Sequence, residues 1–142
     1  MAKHKILVIE DDLEIQELIT YHLVRAGFLV TYHVSGEAGL DEVKRGQPDL
    51  AVIDLTLPGM DGWAVARQLR NNPETASLPL VMLTSRDEEG IGQEVAPAAC
   101  FSKPIKPELL LTCIRSLLQP GKRKAKARPP RGITARKADK RS

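Results

Sequence analysis

Four short apolar runs of this chain each end on ionisable or hydroxyl-bearing residues. Ile6–Ile9 gives way to Glu10, Asp11 and Asp12, Leu50–Ile53 to Asp54, Leu80–Leu83 to Thr84 and Ser85, and Ala99–Ser102 to Lys103-Pro104. If the runs are strands lying side by side, acids, a hydroxyl and an amine share one rim. Carboxylates brought within a few ångströms repel one another, and a hard divalent cation with oxygen ligands relieves that repulsion. Mg2+ suits such a site, because it keeps several waters, takes one or two carboxylates and still accepts a phosphate oxygen. In that chemistry Asp54 is the nucleophile toward a phosphoryl group. Lys103 and the metal neutralise charge on the transferring oxygens, and the Thr84 hydroxyl contacts one of them. Taken singly, Glu10 and Asp11 read equally well as helix-start acids favoured by the dipole, and Lys103 as a surface charge. Only the ensemble argues for a site.

A shared rim of this kind is what an open parallel sheet provides, since its functional crevice lies at the carboxyl ends of the strands. The β-branched apolar runs predict strands over Lys5–Ile9, Phe28–Val34, Leu50–Ile53, Leu80–Leu83 and, more weakly, Ala99–Ser102. Between the first two, Ile15, Leu18, Ile19, Leu23 and Ala26 fall at helical spacing and Gly27 ends the helix. Leu110, Cys113, Ile114 and Leu117 repeat that pattern before Pro120, and helices of lower contrast fit Gly36–Arg45 and Asp61–Asn71. Strands alternating with helices imply an α/β fold with helices on both faces of one twisted sheet.

With 142 residues there is room for one compact domain. Apolar residues at 42% and charged residues at 27% fit neither wholesale disorder nor a membrane protein. No apolar stretch approaches the roughly 20 residues a bilayer requires, so a cytoplasmic location is expected. Cys100 and Cys113 lack the spacing of a metal or disulfide framework and read as small core hydrophobes. His4, His22 and His33 are assigned no role, and Trp63 is read as packing. Residues 1–119 carry 11 Lys and Arg against 17 Asp and Glu, whereas residues 120–142 carry 10 against 1. An acidic domain over 1–119 is therefore followed by a basic tail over 120–142, too poor in apolar residues to fold, and expected to be disordered.

Four blocks, ILVIEDD (Ile6–Asp12), PDLAVIDLTLPGMDG (Pro48–Gly62), VMLTS (Val81–Ser85) and FSKP (Phe101–Pro104), resemble the receiver domain of bacterial two-component response regulators over about residues 3 to 119. The resemblance implies a doubly wound, flavodoxin-like (CheY-like) fold with five parallel strands in the order 2-1-3-4-5. It implies that Asp54 is the phosphoacceptor, Asp11 a direct Mg2+ ligand, and Glu10 a partner acting through metal-bound water. The backbone carbonyl of Thr56 becomes the third protein ligand, Thr84 the switch hydroxyl and Lys103 the phosphate-contacting amine, before a Lys103-Pro104 bond that is usually cis in this family. Asp12, one place past the acidic pair, is expected to cap the first helix. The phosphoryl donor would be a sensor histidine kinase or phosphotransfer protein. The output would be contact with a downstream protein, with homodimerisation left open and no enzymatic activity beyond self-phosphotransfer and self-dephosphorylation.

The chain departs from the family at two places. Cys100 stands where an aromatic residue usually follows the switch hydroxyl, and a small thiol cannot swing in the same way. The interval from Thr84 to Lys103 is 19 residues, about three short of the family's usual length, and contains Gly90, Gly92 and Pro97. Glycine costs about 1 kcal/mol and proline about 3 kcal/mol within a helix, so the family's fourth helix should be short, irregular or missing. Three functions of different class follow. The first is a stand-alone receiver in a phosphorelay. The second is a nucleic-acid-binding regulator whose basic tail grips nucleic acid, or else an anionic surface, by counterion release, with a plain solvated tether as the alternative. The third, suggested only by Asp54-Leu55-Thr56, is a small aspartyl-phosphate phosphohydrolase. It fits poorly, because Thr56 stands where that class places a second acid.

Overall fold

Strand and helix alternate over residues 5–84 in a computed structural model, which describes residues 3–85 and 95–119. The elements are β1 (Lys5–Ile9), α1 (Leu13–Arg25), β2 (Leu29–His33), α2 (Gly36–Gly46), β3 (Leu50–Asp54), α3 (Gly62–Asn71), β4 (Leu80–Thr84), β5 (Ala99–Ser102) and α4 (Pro107–Leu118). The strands form one parallel sheet in the order β2-β1-β3-β4-β5. The doubly wound α/β architecture read from the sequence is the architecture found. Residues 86–94, where the fourth helix of the resemblance was expected to be short or missing, and the tail at 120–142 lie outside the described residues.

The alternation of strand side chains explains why β1, β3 and β4 are apolar nearly throughout. Leu7, Ile9, Ala51, Ile53, Leu80 and Met82 point into one core with Val43 of α2 and Val65 and Leu69 of α3. Ile6, Val8, Leu50, Val52, Val81 and Leu83 point into a second core with Ile19 and Leu23 of α1 and Leu110 and Ile114 of α4. Each fully buried Leu or Ile contributes about 1.5–3 kcal/mol relative to exposure. A slip of one residue would exchange the two sets, so these three strands fix their own register.

The first three helices start at side-chain caps, whereas α4 follows Lys106 without one and opens on Pro107. Asp12 accepts hydrogen bonds from the Glu14 and Ile15 amides, Ser35 from Ala38 and Asp61 from Ala64. Gly27, at φ +101°, turns the chain out of α1, while the Phe28 amide donates to the Leu23 carbonyl at 3.1 Å. Among the described residues no helix is long and apolar enough to cross a membrane.

Three local readings need correcting. Leu18, expected on the inner face of α1, is exposed, and the buried line runs through Gln16, Ile19 and Leu23. Gln16 takes an inward place because its amide is satisfied by the Thr20 hydroxyl at 2.7 Å. Cys100 is exposed and Cys113 only half-buried, so neither is a core hydrophobe. β5 forms one edge of the sheet, and its residues alternate between half-buried and exposed. β2, the opposite edge, covers Leu29–His33 rather than Phe28–Val34 and leaves Leu29 and Tyr32 half exposed.

Gly62 opens α3 against the end of β3, where an added Cβ would overlap the Asp54 carbonyl oxygen and the Leu55 Cα. Because these obstacles are backbone, Gly62→Ala should lower stability by about 1–3 kcal/mol or more, read as a drop in the urea midpoint at unchanged m-value.

Candidate functional site

All four strand ends expected to form the rim arrive at the same edge of the sheet. Glu10 follows β1 and is fully buried, Asp54 closes β3 at 1% exposure, Thr84 closes β4 and is buried, and Lys103 follows β5. Parallel pairing makes this possible, since Ile9 is level with Ile53, Asp54 with Leu83 and Thr84 with Ser102. Asp11 lies on the exposed side of Glu10, and carboxylate oxygens of Glu10, Asp11 and Asp54 come within 4.8 Å of one another. Lys103 reaches into this group. Its Nζ stands 3.3 Å from Glu10 Oε1 and 3.3 Å from Asp54 Oδ2. The Lys103-Pro104 peptide is cis, as the resemblance led one to expect.

The backbone holds each carboxylate in place. The Asp12 amide donates to Glu10 Oε2 at 3.0 Å, and the Glu10 amide donates to the His33 carbonyl at 3.1 Å. The Thr56 amide donates to Asp54 Oδ1 at 3.2 Å, and the Lys103 amide to the Thr84 carbonyl at 2.8 Å. The Asp12 side chain caps α1, the role expected of it. The Thr56 side chain is exposed beside the site.

Burial raises the carboxyl of Glu10 to about 7, reinforced by a side-chain hydrogen bond and the negative charge of Asp54, while the Asp12 amide and Lys103 act against it. For Lys103 burial works to lower the pKa, but the charges of Glu10 and Asp54 prevail and raise it. One lysine does not satisfy the cluster. Among the described residues Glu10 Oε1 is buried yet has no hydrogen-bond partner, because the Lys103 amine lies near it without the required alignment. A buried, unsatisfied carboxylate oxygen within reach of two further carboxylates fits a hard divalent cation, and Glu10, Asp11 and Asp54 are the side chains that could hold it.

Sequence reasoning named the chemical groups but missed three supports. Two are main-chain donors and acceptors, the Thr56 amide and the His33 carbonyl, and no side-chain pattern announces them. The third is Gly62, whose missing Cβ lets α3 press on the Asp54 carbonyl. Its signal was the Asp61-Gly62 pair placed soon after Asp54. His33, assigned no role from the sequence, pairs through Nε2 with Glu42 at 3.2 Å.

Residues 6–115 match the response regulator receiver domain family. The chain is 36% identical over 123 residues to the transcriptional regulatory protein AfsQ1 of Streptomyces coelicolor, an alignment covering 84% of this chain and 53% of that protein. The chain spans about half the length of the curated relatives it matches. A crystal structure of a putative response regulator from Chloroflexus aurantiacus superposes with a TM-score of 0.78 at 30% identity, covering 82% of this chain and 98% of that one. The receiver domain of the sensor histidine kinase PA1611 from Pseudomonas aeruginosa superposes at 0.71 with 26% identity, covering 80% and 97%, and holds a magnesium ion in its active-site cleft.

The raised pKa of Glu10 predicts a pH signature. An acid whose pKa is higher folded than unfolded contributes stability below its unfolded value, and that contribution disappears as pH climbs through the folded value. In Mg2+-free buffer, Glu10→Gln should match wild type in Tm below about 4.5 and gain steadily on it up to about 7. Added Mg2+ should reverse the gain, because only the carboxylate binds it. A Tm difference that stays flat across this range would contradict the assignment.

Proposed function

The chain belongs to the response regulator receiver domain family, and we propose that it accepts a phosphoryl group on Asp54, with Mg2+, from a sensor histidine kinase or phosphotransfer protein. One observation carries this reading. The carboxylates of Glu10, Asp11 and Asp54 converge within 4.8 Å, and the Lys103 amine stands 3.3 Å from Asp54 Oδ2.

The buried Asp54 carboxylate is the nucleophile. One of its oxygens forms the bond to phosphorus as the donor's bond to phosphorus breaks, and the leaving group departs with the bonding pair. The Thr56 amide, on Oδ1, fixes the carboxylate plane. The Lys103 amine, already beside Oδ2, stays with the oxygens of the incoming group as their charge develops. Thr84, at the end of the neighbouring strand, offers its hydroxyl to one of those oxygens. Glu10, Asp11, Asp54 and the Thr56 carbonyl would hold Mg2+, which supplies positive charge to the transferring oxygens and offsets the crowded carboxylates. The protein turns over no other substrate in this reading and acts as a cytoplasmic switch, its output being contact with a downstream protein.

A second reading draws on the charge at the C-terminal end. Residues 120–142 hold 10 Lys and Arg against 1 acid, and AfsQ1 is a transcriptional regulatory protein. A segment of that charge would grip nucleic acid through phosphate neutralisation, and it has no aromatic residue to stack on bases. Each phosphate neutralised should steepen the plot of log affinity against log salt by about 0.9. Removing residues 120–142 should abolish binding to duplex DNA, and binding that survives the deletion would exclude the tail.

Incubation with Mg2+ and acetyl phosphate should add one phosphoryl group to the protein by mass, with the label at Asp54 and absent from Asp54→Asn. Lys103→Met should still bind Mg2+ but label more slowly by about 10²-fold, as loss of a donor to developing charge does elsewhere. Asp11→Asn should weaken Mg2+ binding, and unaltered affinity there would remove the metal assignment.

A further inference from the structure

Arg70, in the last turn of α3, has no part in the chemistry above, yet its guanidinium is tied to four backbone carbonyls. Nε donates to Val95 at 2.6 Å and Nη2 to Ala96 at 3.3 Å, while Nη1 donates to Leu78 at 2.7 Å and Ala76 at 3.1 Å. Burial lowers its pKa to about 10, which leaves it charged at neutral pH. Hydrogen bonds from a charged, planar donor are stronger and more directional than neutral ones. Here they fasten two separate stretches of chain to one helix.

One of these stretches, Ala76–Leu78, precedes β4, and the other is the lead-in to β5. Every residue of β3 and β4 is buried, but β5 has four residues and none of them is fully buried. A strand that buries so little specifies its register weakly, and a slip of one place would turn every side chain to the other face. Its register must come from its flanks. Upstream, Val95 is fully buried in the α2–α3 core, Val95 and Ala96 are held by Arg70, and the Ala98 amide donates to the Leu80 carbonyl at 2.8 Å. Ala96 sits at φ +46°, a conformation that a residue with a Cβ keeps only where its surroundings over-determine it. Downstream, Ile105 is buried in the opposite core. Lys103 lies between these two anchors.

We propose that Arg70 is a positioning residue for Lys103. By clasping Val95 and Ala96 to α3 it sets β5 in register on β4, and so holds the Lys103 amine between Glu10 and Asp54. The inference rests on the phosphoacceptor reading only for a rate measurement, and a second measurement is independent of that reading.

The test uses the full chain as wild type, Arg70→Met, Lys103→Met and the double variant. In Arg70→Met, the Ala98 and Lys103 amides should exchange with solvent about tenfold faster, the local opening expected when charge-assisted hydrogen bonds are lost, while β1 and β3 amides keep their relative protection. Labelling by acetyl phosphate should slow in Arg70→Met, yet the double variant should be no slower than Lys103→Met, because an effect exerted through the amine vanishes with it. Should Arg70→Met fail to fold, Arg70→Lys, which keeps the charge but loses the fork, carries the same two readouts. Equal loss of protection in all strands, or rate effects that add in the double variant, would overturn the proposal. If even wild type takes no label, the phosphoacceptor reading fails, and exchange at β5 still decides the clasp.

Discussion

Negative charge crowded at one edge of a buried sheet is the constraint on which this molecule turns. Glu10 and Asp54 are as inaccessible to water as core leucines, and Asp11 joins them from the surface. Burial disfavours the ionised form of Glu10, and the neighbouring charge of Asp54 adds to the cost. Positive charge must compensate, and among the described residues the Lys103 amine is the ammonium at close range, with Glu10 Oε1 left without a hydrogen bond. That uncompensated charge is what favours the divalent cation and phosphoryl group proposed for the site.

The remaining architecture keeps that charge in place. Parallel pairing brings four strand ends level, and the two cores on opposite faces of the sheet fix β1, β3 and β4. Asp12 and Asp61 then cap α1 and α3 beside the rim without consuming its acids. Asp12 satisfies the first turn of α1 with its side chain while its amide steadies Glu10, so one residue supports both the helix and the site. Gly62 permits the close approach of α3 to the back of Asp54.

The sheet and its groups were legible in the sequence because burial on both faces writes near-continuous apolar runs, and the residue ending each run is the one delivered to the rim. Asp54, Glu10, Asp11, Thr84 and Lys103 could all be placed in this way. Periodicity served less well where two registers competed. Leu18 looked like an inner residue of α1, but the Gln16–Thr20 hydrogen bond lets a polar residue take the buried line. Cys100 was misread as core because its hydrophobic type says nothing about whether its strand lies at an edge. Main-chain contacts such as the Thr56 amide on Asp54, and long-range ones such as the Arg70 clasp, leave no local pattern, since their partners are carbonyls and amides that every residue possesses.

The division of β1 and β3 between two cores also limits how the protein can answer a change of charge at its rim. Odd-numbered residues of both strands are keyed into the α2–α3 layer and even-numbered ones into the α1–α4 layer. Sliding either strand along its axis would unseat both layers together. A response confined to connecting segments and strand ends disturbs neither, so the central sheet behaves as a fixed anvil and any movement is relegated to the segments it carries.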